Sequence, residues 1–127
     1  MPTVLNRPIL QPGPDHTLAI GAKPVSVRIE VGATQLAAKA SALEVLEHTY
    51  PPALYVDRED VDMSTLERST HTSWCPYKGE ASYFHIITSD GTRLENAVWS
   101  YESPFDHIAV IRDHLGFYGD RVTLTRL

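Results

Sequence analysis

Cysteine is almost missing from this chain: 127 residues carry one, Cys75. A single thiol excludes an internal disulfide and favours a reducing compartment. Long apolar runs are missing too. None approaches the ~20 residues a membrane span needs, and the first eight residues show neither an apolar core nor a small-residue cleavage site of a signal peptide. The expected location is therefore cytoplasmic, with no membrane partner. Basic charge is in deficit, with 11 Lys and Arg against 16 Asp and Glu and a net charge of -5. No Lys/Arg cluster offsets that balance locally, so nucleic acid is not an expected partner, while a small nucleotide is compatible with it. Aromatic residues are absent before Tyr50. Repeats and low-complexity runs are absent throughout.

What is present reads as one ordinary globular domain, 43% hydrophobic and 21% charged, large enough to fold without a staple. Five of the nine prolines lie in residues 1–24, which read as an extended arm laid on the domain or partly disordered, ahead of one globular domain over 25–127. Residues 25–31 alternate strictly between apolar and polar, the period of a half-buried strand. Gly32 can turn the chain so that 35–39 pair back. Residues 43–47 form a second strand candidate, whose periodicity also fits one helical turn, ended by Pro51-Pro52, and 53–56 a short third. Ser64-Thr65-Leu66-Glu67 fits a capping box and predicts a brief helical turn within 62–68. Asp90-Gly91 between two β-rich runs predicts a hairpin of 81–88 with 93–101. Pro104 opens a predicted helix with Ile108, Ile111 and Leu115 as its buried stripe and Gly116 as its stop, and 121–127 reads as a closing strand. The fold class is α+β but mainly β: antiparallel hairpins in a compact curved sheet or partly open barrel, with one C-terminal helix.

The chemistry-bearing residues gather around Cys75-Pro76-Tyr77-Lys78-Gly79. Pro76 presets a turn and Gly79 can take positive φ, so this loop is tightly shaped and suited to aiming side chains at a ligand. Cys75 and Lys78 stand three apart. An ammonium folded back onto the thiol would favour the thiolate, and a buried lysine could act as a base or form a Schiff base. These two are the candidate catalytic residues, against a plain reading of Cys75 as a small packed hydrophobe. Trp99 and Tyr101 alternate on one strand and face one side of the sheet. With Tyr55, Tyr77 and Tyr83 they supply polar-tipped rings for a ligand wall. Glu47 is a further candidate ligand-binding residue; if buried it needs a partner such as Arg58 or Lys78. Arg58 completes that set. Asp57, Glu59, Asp60 and Asp62 form an acidic cluster containing D-x-D, a pattern used for Mg²⁺; helix capping and a solvated loop are the favoured explanation. One cysteine and His71 fall short of a zinc ligand set, so no metal site is expected, and no cofactor is indicated.

With those residues in view, the chain resembles the bacterial and fungal family catalogued as domain of unknown function 427. The matching features are Tyr50-Pro51-Pro52, Tyr55, Arg58-Glu59-Asp60-Val61, Thr72, Cys75-Pro76-Tyr77-Lys78-Gly79, Ala81-Ser82-Tyr83, Ala97-Val98-Trp99-Ser100-Tyr101-Glu102-Ser103-Pro104 and Gly116-Phe117-Tyr118. Asp57 departs from the proline often found there. The resemblance implies a compact β-rich domain and brings no activity with it. A nucleotidyltransferase-like label attached to the family would imply a Gly-Ser pair upstream of the acidic pair, which this chain lacks. Three functions suit these features: first, a pocket beside the Cys75–Gly79 turn that binds a small polar or aromatic ligand; second, an enzyme using Cys75 or Lys78; third, a protein-interaction module. A homo-oligomer is compatible with all three.

Overall fold

The computed structural model describes residues 7–127. The first six residues of the proline-rich arm lie outside the described residues. Apolar–polar alternation recurs in short segments beyond the arm, and among the described residues nine strands form one antiparallel sheet: β1 (Leu18–Ile20), β2 (Val25–Val31), β3 (Thr34–Glu47), β4 (Ala53–Val56), β5 (Leu66–Cys75), β6 (Gly79–Ile87), β7 (Arg93–Ser100), β8 (Leu115–Phe117) and β9 (Thr123–Arg126). The order is β5-β6-β7-β8-β4-β3-β2-β9, with β1 pairing on β3 beyond the end of β2. The ends β5 and β9 do not pair, so the sheet is not closed. The strand readings at 25–31 and 53–56, and the Asp90-Gly91 hairpin, match the structure. Gly91 supplies the positive φ (87°) that the hairpin needs.

Alternation splits the apolar residues between two faces. On β4, Val56 joins a main core with Val27, Ile29, Leu36, Ile86, Val98 and Leu115. Its neighbour Tyr55 points the other way, into a second cluster with Val45, Ala81, Tyr101, Ile108 and Ile111. Residues of β2 and β6, far apart in strand order, meet in the main core, so the sheet curls around it. The second cluster lies on the opposite face, with Leu18 and Ile20 of β1 packed against it.

Three expectations need correction. The C-terminal helix is absent: 3-10 geometry covers Asp106–Ile111, broken at Ile108 (φ -134°), with no side-chain cap at Phe105. Two facts explain this. The i, i+3 spacing of Ile108 and Ile111 suits three residues per turn. Leu115 and Gly116, read as the end of the stripe and its stop, instead form a strand filling the slot between β7 and β4. The helical turn read at 62–68 is shorter, covering Met63–Thr65, and is capped by Asp62 rather than Ser64. Leu66 already begins β5 and pairs with Ile86. Finally, residues 34–47 form one long strand rather than two pieces, because β2 pairs its first part and β4 and β1 its last.

Candidate functional site

Cys75 and Gly79 face each other at the end of the β5–β6 hairpin, and the Lys78 amide donates to the Cys75 carbonyl at 3.2 Å. Gly79 takes φ 114°, and a Cβ there would lie 3.4 Å from the Ser103 carbonyl. This geometry turns Lys78 inward until the residue is 6% exposed. Both flanks of the turn are tied down through its backbone. On one side the Phe105 amide donates to Lys78 O at 3.0 Å, and His107 Nε2 donates to Tyr77 O at 2.6 Å. On the other lies the N-terminal arm. Leu10 donates its amide to Pro76 O at 2.9 Å, and Trp74 Nε1 donates to Pro8 O at 2.8 Å. Arg7 lies over the Trp74 ring, 4.9 Å from its centroid, and pairs with Glu80.

The buried ammonium of Lys78 is paired with Glu47 at the end of β3, a short contact to Oε1. The other carboxylate oxygen accepts from His16 Nε2 at 2.7 Å. Burial alone would raise the Glu47 carboxyl, but the hydrogen bonds and positive charge of Lys78 and His16 outweigh it and hold the group below its ordinary range. The His16 ring is stacked on Tyr77, with centroids 3.9 Å apart and planes 5° from parallel. His48 lies on its other side at 5.1 Å and 16°, and Tyr50 stands edge-on to both imidazoles.

Behind the pair stands the second cluster, in which Cys75 packs with Tyr55, Tyr83, Trp99 and Tyr101. Trp99 Nε1 donates to the Tyr55 hydroxyl at 3.2 Å, and the Tyr55 and Tyr101 rings are 6.3 Å apart. Burial pushes the Tyr55 phenol up to about 12, opposed by the Trp99 N–H and reinforced by the charge of Glu47. Burial pushes Tyr101 well above its ordinary range, with the neighbouring Tyr55 adding to it. Tyr83 binds the Ser73 hydroxyl at 2.8 Å.

These four rings do not line one cavity. Trp99 borders a cleft of about 350 Å³ with Leu54 and Tyr118. Tyr83 borders another of about 320 Å³ with His71 and Arg121. A cleft of about 440 Å³ opens beside the turn itself, between Ile9 and Gln11 of the arm and Phe105 and His107 of the flanking segment.

Arg58 belongs to a different constellation. It donates to Asp113 O (2.8 Å) and Ser100 Oγ (2.9 Å) and pairs with Glu102 at 3.1 Å, so Glu47 takes Lys78 and not Arg58. The D-x-D carboxylates act on the backbone: Asp60 accepts from the Ser41 amide and Asp62 from the Ser64 amide.

The structure thus brings together Cys75, Tyr77, Lys78, Glu47, Tyr55, Tyr83, Trp99 and Tyr101 on one face and sets Arg58 apart. It adds His16 and His48. The usable signal for His16 was the Leu18-Ala19-Ile20 alternation just after it, which becomes β1. For His48 it was adjacency to Glu47, where a non-glycine residue adopts φ 49°.

Fold and site together define a β-sheet domain with a buried lysine–carboxylate pair roofed by its own arm. Residues 19–126 match the family described as Domain of unknown function (DUF427), and the chain belongs to that family. A comparison with curated proteins returns no match. Among the described residues no helix is long and apolar enough to cross a membrane.

Proposed function

We propose that this domain binds a small polar or aromatic molecule beside the Cys75–Gly79 turn, with Lys78 and Glu47 as its polar anchor. The observation that carries this reading is the Lys78 ammonium, almost fully buried and held by a carboxylate that His16 also engages. A buried ion pair gains little stability over an apolar replacement, because the desolvation of two charges offsets their attraction. Perturbed, paired charges among polar-tipped rings are characteristic of binding and catalytic sites. Tyr77, stacked on His16, and Tyr55, which feels the Glu47 charge, supply flat surfaces and hydroxyls near the pair, and the cleft between the arm and Phe105 borders the segment whose Phe105 amide binds Lys78 O. The test is a protein-observed NMR screen of small aromatic and polar fragments against the wild type and Lys78→Met. Expected are hits that shift Tyr77 and Tyr101 resonances and vanish in the variant. Hits that persist unchanged in folded Lys78→Met, or no hits at all, would refute the reading.

A second reading, catalysis, draws on one observation: Glu47 bridges an amine and an imidazole, the arrangement of a proton relay. Lys78 would then be the acid–base group, with Cys75 as the nearby thiol. The iodoacetamide reaction rate of Cys75 against pH, in wild type and Lys78→Met, tests its thiol version; an inert thiol or superimposable profiles would remove it.

A further inference from the structure

We infer that the slot holding the His16 ring is the ligand subsite, and that it takes a planar aromatic heterocycle bearing a ring N–H, with His16 as a built-in occupant that such a ligand displaces. The inference rests on the binding function proposed above and gives its ligand a chemistry.

The slot has the parts such a ring requires. Tyr77 provides a parallel face at 3.9 Å. His48 provides the opposite face, held in place by its φ of 49° and by its amide, which donates to Thr17 O at 2.8 Å. Two flat walls with an aromatic edge beside them select for planarity rather than for a particular apolar shape. The end of the slot carries a carboxylate oxygen, Glu47 Oε2, 2.7 Å from the ring nitrogen. Lys78 holds the other oxygen, so when His16 leaves, Glu47 stays charged, fixed and one hydrogen bond short. An ionised carboxylate only accepts, so the incoming ring must donate. Imidazoles, benzimidazoles and purines with a free ring N–H meet both demands.

The present occupant is also the removable part. His16 lies outside the family-matched residues 19–126, whereas Glu47, His48, Tyr77 and Lys78 all lie within them. The arm before β1 is tied to the turn by two hydrogen bonds, Leu10 to Pro76 and Trp74 to Pro8, and by the Arg7 contacts. Lifting residues 7–16 leaves every pairing of the sheet, including β1 on β3, in place. Tyr50 is 56% exposed and His48 is exposed, so the slot opens to solvent.

The experiment titrates benzimidazole, and 1-methylbenzimidazole as the probe lacking the N–H, into full-length wild type and His16→Ala by calorimetry, with aromatic resonances followed by NMR. Removing an internal competitor that fills the slot most of the time should tighten benzimidazole binding by about tenfold or more. The methylated probe should bind His16→Ala about tenfold more weakly than benzimidazole, having lost a hydrogen bond to a charged acceptor. Tyr77→Ala should abolish the gain, and His16→Ser serves as a second opened variant should His16→Ala collapse. Equal affinity of the two probes, equal affinity of wild type and His16 variants, or no binding to either opened variant would overturn the inference. Fragment hits on the wild type that vanish in Lys78→Met, screened alongside, would then leave the broader binding function standing.

Discussion

Trp99 lies flat across β8 because residue 116 has no side chain. A Cβ on Gly116 would come within 2.2 Å of the indole, so the ring that anchors Tyr55 depends on a glycine one strand away. Gly116→Ala should cost about 1–3 kcal/mol, the usual penalty of overpacking, measured by urea unfolding, and should shift the Trp fluorescence maximum. Glu102 gives a prediction of a different kind. The bidentate bond from Arg68 at 2.9 Å, with Arg58 beside it, holds its carboxyl at about 2, against 4.5 for the free group. The folded protein therefore binds this proton less readily than the unfolded chain. The resulting stability is fully present above about pH 4.5 and fades as pH falls toward 2. Urea midpoints of the wild type should drop over that window, and Glu102→Gln should flatten part of the drop; identical acid limbs would contradict the assignment.

At the scale of elements, the strands with clean two-residue alternation were readable, because one buried face imposes that period. The segment 104–115 was not. Ile108 and Ile111 have the same spacing in an α-helix and in 3-10 turns, and only the open place between β7 and β4 decides that Leu115 becomes strand. β5 was unreadable for the opposite reason: as an edge strand with one neighbour it carries mostly polar residues with no clean alternation of burial, and its pairing partner lies in β6. Ile111→Ala should still cost about 2–5 kcal/mol, since the side chain is fully enclosed in the second cluster. Exposed Val110→Ala should change stability by no more than about 0.5 kcal/mol. Chemical denaturation of the two variants checks both values. The site divides in the same way. The turn residues Tyr77 and Lys78 announce themselves through Pro76 and Gly79, and Glu47 through its place before a turn. His16 stands 31 residues from Glu47 with no local pattern to join them, and only the path of the arm brings the two together.

For the whole molecule, the sheet curls around its main apolar core, and its opposite face carries a second cluster in which tyrosines and a thiol join Val45, Ile108 and Ile111, with the buried ion pair beside it. If that pair served stability, removing it should be costly in every form. The expected behaviour differs. Lys78→Met alone leaves a carboxylate without its buried partner and should cost about 3–5 kcal/mol, whereas Lys78→Met/Glu47→Leu should recover most of that loss. This double variant also gives the most direct test of the binding site, because it stays folded while losing the anchor. The deciding measurement is the small-fragment NMR screen on the double variant beside the wild type. Hits at Tyr77 and Tyr101 in the wild type that disappear in the equally folded double variant are the predicted result. The same hits in both proteins would contradict a site built on Lys78 and Glu47.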